Sequence, residues 1–175
     1  MSEKRIAWAM TGAGHALDEC IDVLLKHTKV DLFLSRAAKE VLSMYRADAR
    51  LEDGGMRIYS ETTASSPLVS RFSAGVYCVL VVAPATSNSI AKFVHGISDT
   101  LVTNLFAQAG KSRVPILVYP TDLLPEVDSL GPNRQPIKVY PRTIDLENTE
   151  KLQGFGGVDV VASGKELEQC LATFL

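Results

Sequence analysis

The amino-acid sequence predicts a doubly wound parallel α/β sheet with helices on both faces, in a single domain spanning residues 1–175. Two observations carry this reading. Short apolar segments alternate with segments of helical periodicity almost from the first residue, which is how strand–helix–strand units with right-handed crossovers appear in a sequence. The segment YCVLVV, Tyr77 to Val82, is also apolar throughout rather than alternating, as a central parallel strand covered on both faces requires. The length of 175 residues suits one domain with a substantial core.

The elements follow in order. Arg5 to Met10 reads as a short buried strand, punctuated by Gly12 and Gly14. Leu17, Cys20, Ile21, Leu24 and Leu25 then recur at helical spacing. Val30 to Leu34 is a second apolar strand, followed by a helix with Ala38, Val41, Leu42 and Tyr45 on one face. The stretch from Ala47 to Ser66 is rich in Gly, Ser, Thr and charge, and reads as a loop with one short strand near Met56 to Tyr59. Pro67 opens a short helix, since proline suits a first turn. After the central strand, which Pro84 is expected to end, Ser87 to His95 and Thr100 to Ala109 are helical patterns joined at Gly96. Val114 to Val118 is another buried strand. Pro120, Pro125, Pro132, Pro136 and Pro141 then mark an irregular excursion, before Val158 to Val161 and Glu166 to Phe174 close the fold as strand and helix.

Charge and composition exclude several classes of function. The net charge is −2 and the Lys and Arg residues are scattered, so there is no electrostatic case for a nucleic acid or a membrane surface. No apolar run reaches the roughly 18 residues that span a bilayer, and the start MSEKRIAWAMTG lacks the pattern of a signal peptide. A cytoplasmic location is expected. Cys20, Cys78 and Cys170 lie far apart without a C-x-x-C pair, which argues for structural thiols and against a local zinc or iron–sulfur site.

In parallel sheets of this kind, ligands bind beyond the carboxyl ends of the strands. Three loops leave such ends here. The first is TGAGH, Thr11 to His15, where glycines allow an anion to approach the backbone and a helix N-terminus favours negative charge. It is not the dinucleotide fingerprint, because Leu17 stands where a third glycine is needed. Strand two ends in Ser35 and Arg36 rather than in an acidic residue for a ribose, so one phosphate suits the site better. A tight turn without ligand is the other reading of the loop, and a helix N-cap is the other reading of Ser35. The third loop, APATSNSIAK, clusters Thr86, Ser87, Asn88 and Ser89, a surface that a flat heterocycle with alternating donors and acceptors would use; a well-capped helix start is its other reading. His15 reads either as a ligand contact or as a surface residue, and His95 as a cation favoured at a helix end. No nucleophile–base pair and no metal-ligand cluster is visible.

TGAGH, APATSNSIAK and GISDTLVTNLFAQAGK (Gly96 to Lys111), in this order and spacing, resemble the flavoprotein family of homo-oligomeric flavin-containing cysteine decarboxylases. That family carries a P-A-S-A-N-T loop and a G-x-x-D-N-L-L motif, matched here at Pro84 to Ser89 and at Gly96 to Val102. The resemblance covers about residues 5 to 120. The decarboxylases place a catalytic histidine shortly before the central strand and a cysteine in a substrate flap. The segment Ser65 to Tyr77 has no histidine, and no cysteine lies between Cys78 and Cys170. AWAMTGAGH and KVYPRTIDLENTEKL (Lys138 to Leu152) look instead like the archaeoflavoprotein and dihydromethanopterin reductase branch.

This resemblance implies a flavodoxin-like (Rossmann-like) fold and bound FMN, with Thr11, Gly12, Gly14 and Ser35 on the phosphate. Thr86, Ser87, Asn88 and Asp99 would then line the isoalloxazine. It implies an FMN-dependent oxidoreductase reducing dihydromethanopterin to tetrahydromethanopterin. The alternatives are an FMN electron carrier that docks a redox protein, and a decarboxylase like that acting on phosphopantothenoylcysteine. The proton for a pterin would come from water, His15 or Tyr140. NAD(P)H is open as donor, with Arg36 facing a 2′-phosphate or simply on the surface. A homo-oligomer is implied, either a trimer or a dodecamer assembled from trimers.

Overall fold

The computed structural model describes residues 4–52, 56–62 and 67–175. A six-stranded sheet holds β1 (Arg5–Met10), β2 (Val30–Leu34), β3 (Arg57–Ser60), β4 (Tyr77–Ala85), β5 (Ile116–Pro120) and, after a hairpin, β8 (Val158–Val160). All its pairings are parallel, and the strand order is β3-β2-β1-β4-β5-β8. The expected flavodoxin-like (Rossmann-like) doubly wound architecture is present, in the 3-2-1-4-5-6 arrangement with β8 in the sixth place. The chain winds outward from β1 to β3, returns to the centre, and winds outward again from β4. The crevice beyond the ends of β1 and β4 is therefore the topological switch point, where such sheets bind ligands.

Alternation along β1 divides the core into two layers. Ile6, Trp8 and Met10 join Leu17, Cys20, Ile21 and Leu24 of α1 (Leu17–Leu24), Ala38 and Leu42 of α2 (Arg36–Met44), and Leu167 and Leu171 of α7 (Gly164–Ala172). Ala7 and Ala9 face the other way, where their small size admits α4 (Ser87–Val94) and α5 (Leu101–Lys111). Phe93 of α4 stacks on Phe106 of α5 with centroids 4.0 Å apart. Leu152 of α6 (Thr143–Gln153) and Phe72, beside a 3-10 helix (Pro67–Arg71), complete this layer.

A polar cluster sits inside the sheet's opposite end. The Asp31 carboxylate is fully buried and accepts from Arg5 Nε (2.8 Å), Arg71 Nη1 (3.0 Å) and the Tyr77 hydroxyl (2.9 Å). A buried charge is tolerable only with such satisfaction. The cluster ties the starts of β1 and β4 to the 3-10 helix.

The structure departs from the sequence reading at four places. The first is α6, an eleven-residue helix that the reading did not include, because its buried side is mostly polar (Asp145, Asn148, Thr149) and shows no apolar periodicity. Within Ala47 to Ser66, the segment read as a loop contains a short helix, α3 (Asp48–Glu52); five residues are too few for periodicity to register, and Leu51 is its main buried anchor. Strand β4 does not stop before Pro84 but runs through a cis Ala83–Pro84 bond to Ala85, because the register against β5 shifts there and Ala85 pairs with Pro120. The proline-rich excursion is ordered into an antiparallel hairpin of β6 (Val127–Leu130) and β7 (Pro136–Val139), with Pro136 opening its strand. The hairpin is pinned to the body by the Tyr45 hydroxyl, which donates to Leu130 O (3.0 Å), and by Arg134 on Asp18 (3.0 Å). No helix among the described residues is long and apolar enough to cross a membrane.

Candidate functional site

The ends of β1, β2, β3 and β4 open on a cleft of about 590 Å³, within the usual range for small-molecule sites. It is lined by Thr11 and Gly12 from the first loop, Ser35, Arg36 and Ala37 from the second, and Thr86, Asn88, Ser89 and Lys92 from the third. Asp99, Thr100 and Val102 at the start of α5, and Glu61 beyond β3, close it.

Local chemistry explains why the three loops meet. Thr11 is buried, and its hydroxyl donates to Pro84 O (3.0 Å) while accepting from Thr86 N (2.8 Å). This one side chain fastens the first loop to the third. Gly12 lets the first loop lie against α2, since a Cβ there would stand 2.5 Å from the Ala37 Cβ and 3.1 Å from its carbonyl carbon. Ser35 caps α2 by accepting from Ala38 N (3.0 Å), and Thr86 caps α4 by accepting from Ser89 N (3.4 Å). Thr100 and Thr103 form a reciprocal capping pair at α5.

These caps leave a defined set of donors. Among the described residues the N–H groups of Gly12 and Ala37 have no hydrogen-bond acceptor and the Ser35 hydroxyl hydrogen is uncommitted. Among the described residues the Arg36 guanidinium has no carboxylate partner, although it lines the cleft. Three donors and one cation thus converge beside the N-terminus of α2, an arrangement suited to a single phosphate. Across the cleft, the exposed Asn88 amide, with its own donor and acceptor, has no partner among the described residues and stands beside the Thr86 and Ser89 hydroxyls. The Lys92 ammonium binds both Asp99 oxygens (2.8 and 2.9 Å) and holds that carboxyl below its ordinary value.

Six of the eight residues singled out in the sequence line this cleft: Thr11, Gly12, Ser35, Thr86, Asn88 and Asp99. The other two face elsewhere. Ser87 turns toward β5, where its hydroxyl donates to the Asp122 carboxylate. Gly14 lies behind the first loop, where a Cβ would collide with the Tyr45 ring at 2.1 Å from its hydroxyl oxygen. His15 lines a separate concavity between α1 and the hairpin, and Tyr140 is an exposed residue beyond β7. His95 ends α4 with Nδ1 2.8 Å from Ala91 O. Burial pushes all three cysteine thiols up, as structural thiols require. No group of three metal-ligating side chains occurs among the described residues.

The sequence reading missed Glu61, Lys92 and Thr100. Lys92 was visible at the end of APATSNSIAK, four residues past Asn88 and thus on the same helix face. Glu61 stood in a stretch too polar for one carboxylate to stand out.

Similarity to known proteins agrees with this architecture. An uncharacterised protein of Methanocaldococcus jannaschii is 36% identical over 174 residues, covering 95% of this chain and 94% of that protein. The dihydromethanopterin reductase (acceptor) of Methanosarcina mazei is 44% identical over 136 residues, covering 70% of this chain. The chain spans only 57% of that reductase's length. The crystal structure of Burkholderia xenovorans DmrB in complex with FMN, described as a cubic protein cage for redox transfer, superposes with a TM-score of 0.88 at 40% identity, covering 98% of this chain and 95% of that one. The family model named Flavoprotein matches residues 1–173, and by that match the chain belongs to the Flavoprotein family.

Proposed function

We propose that residues 1–175 act as one flavoprotein domain that holds FMN in this cleft and uses it to reduce dihydromethanopterin to tetrahydromethanopterin. The observation that carries the proposal is the donor set beside α2, sized for one phosphate, across from a polar helix start within one cleft. The reductase of Methanosarcina mazei and the FMN complex of DmrB support the assignment.

The residues fit the cofactor. Gly12 N–H, Ala37 N–H, the Ser35 hydroxyl and Arg36 would hold the phosphate, with Thr11 fixing the loop from behind. Asn88, Thr86 and Asp99 would meet the edge of the ring system, and Gly14 and Ser87 would support the first and third loops from outside the cleft. When bound, FMN supplies a hydride acceptor and donor at its ring N5. The chain's part is to orient the ring and tune it by hydrogen bonds. Among the described residues His15 and Tyr140 lie outside the cleft, which favours water over either of them as the source of the proton that a reduced pterin needs.

A second reading, an electron carrier that docks a redox protein, draws on one observation. Leu124, Leu130, Ile137, Tyr140 and Ile144 are large exposed apolar side chains on and around the hairpin. The same surface suits the homo-oligomer, trimeric or dodecameric, that the family resemblance implies. An anaerobic experiment separates the two: the bound FMN is reduced with NADH, NADPH or dithionite in separate arms, dihydromethanopterin is added, and reoxidation is followed at the flavin band. Rapid reoxidation is expected. Reoxidation far slower than with a ferredoxin would favour the carrier, and a protein that takes up no FMN would overturn both.

A further inference from the structure

Glu61 follows the edge strand β3, with its own N–H on Leu34 O (2.9 Å) and its carboxylate reaching back over the cleft. One oxygen accepts from Leu101 N (2.7 Å) and the other from Arg36 N (3.0 Å). These are the first N–H groups of α5 and α2, helices that pack on opposite faces of the sheet. A helix N-terminus carries about half a positive charge, so two of them offer about one unit, which a single carboxylate neutralises. The cations of the cleft are similarly matched. Lys92 is bound to Asp99, and among the described residues Arg36 is left without a carboxylate.

This arrangement fixes how much anion the cleft accepts. A first phosphate finds Gly12 N–H, Ala37 N–H, the Ser35 hydroxyl and Arg36. The N–H groups of Arg36 and Leu101, the first of their helices, are already held by the Glu61 carboxylate at the edge of the cleft, and that negative charge opposes a second phosphate linked to the first. We propose that Glu61 is a selectivity residue that limits the cleft to one phosphate, and so favours a flavin mononucleotide over a flavin dinucleotide. The proposal rests on the FMN reading above.

The test measures dissociation constants of the apoprotein for riboflavin, FMN and FAD, by flavin fluorescence, in wild type and in Glu61→Gln. The substitution keeps the shape and one acceptor while removing the charge. It is expected to tighten FAD by about ten-fold and FMN by a smaller factor, leaving riboflavin within about two-fold, since only the phosphates feel the charge. Glu61→Asp keeps the charge and is expected to keep the FMN preference. An unchanged FAD-to-FMN ratio in Glu61→Gln overturns the proposal. So does an equal loss for all three flavins, which would mark Glu61 as a brace between α2 and α5. Glu61→Ala carries the same expectation if the glutamine variant does not fold, and failure of both to fold while Glu61→Asp folds also overturns it. A wild-type protein that binds none of the three sinks the FMN reading rather than this one.

Discussion

Thr11→Val separates two roles that one hydroxyl could have. The family resemblance implies Thr11 on a phosphate; in the structure its hydroxyl donates to Pro84 O and accepts from Thr86 N. Valine keeps the volume and removes both bonds. Pro84 O retains the Thr11 N–H at 3.2 Å, so the acceptor stays satisfied, while Thr86 N loses the partner it has. One lost hydrogen bond and one half-buried N–H left without a partner together cost about 2 kcal/mol. For a chain of this size that is a drop in Tm of about 4–8 °C. The assay is thermal or urea unfolding of the apoprotein, followed by FMN titration of the same sample. Apoprotein stability should fall by this amount, with FMN weakened only as far as the first and third loops separate. An apoprotein as stable as wild type, together with a ten-fold or larger loss of FMN, would refute the reasoning and return the hydroxyl to the phosphate.

Three further outcomes follow from the same geometry. Gly12→Ala brings a Cβ within 2.5 Å of Ala37 and against its backbone, so the first loop must lift from α2; FMN affinity should fall at least about ten-fold, and retained affinity in a fluorescence titration would count against the proposed phosphate site. Asp31→Asn leaves Arg5 and Arg71 without a counter-charge and should cost about 3 kcal/mol in urea unfolding, with a loss under about 1 kcal/mol indicating that solvent already screens the pair. The Arg142 guanidinium holds the buried Asp145 carboxyl below its ordinary range. That group binds fewer protons folded than unfolded, so its stabilisation is complete above about pH 4 and is lost as pH falls through its lower folded value. Arg142→Gln should therefore move the acid-unfolding midpoint upward, and an unmoved midpoint would exclude the pair from acid stability.

Much of the sheet was legible because burial on both faces leaves continuous apolar runs, as in Tyr77 to Val82 and Val30 to Leu34. The ends of elements were less legible. Nothing local to Pro84 signals that β4 continues through it, because that extension depends on pairing with Pro120 in a distant strand. The third loop was readable as a polar cluster, but not which of its members faces the cleft; helical rotation sends Ser87 to Asp122 and Asn88 inward. Both glycines of TGAGH were read as letting an anion approach the backbone. The approaching groups are Ala37 at Gly12 and Tyr45 at Gly14, parts of the chain itself, and only the three-dimensional packing names them.

Trp8 is the one tryptophan of the chain, lies fully buried in β1, and donates from its ring nitrogen to Ala83 O at 2.8 Å. It therefore bridges the two strands whose ends carry the first and third loops. Its emission overlaps the absorption of a flavin, so a ring seated a few residues away would drain its excited state by energy transfer. The fold carries an intrinsic optical gauge: loading and loss of the cofactor become visible as quenching and recovery of a single, rigidly oriented fluorophore, without any label.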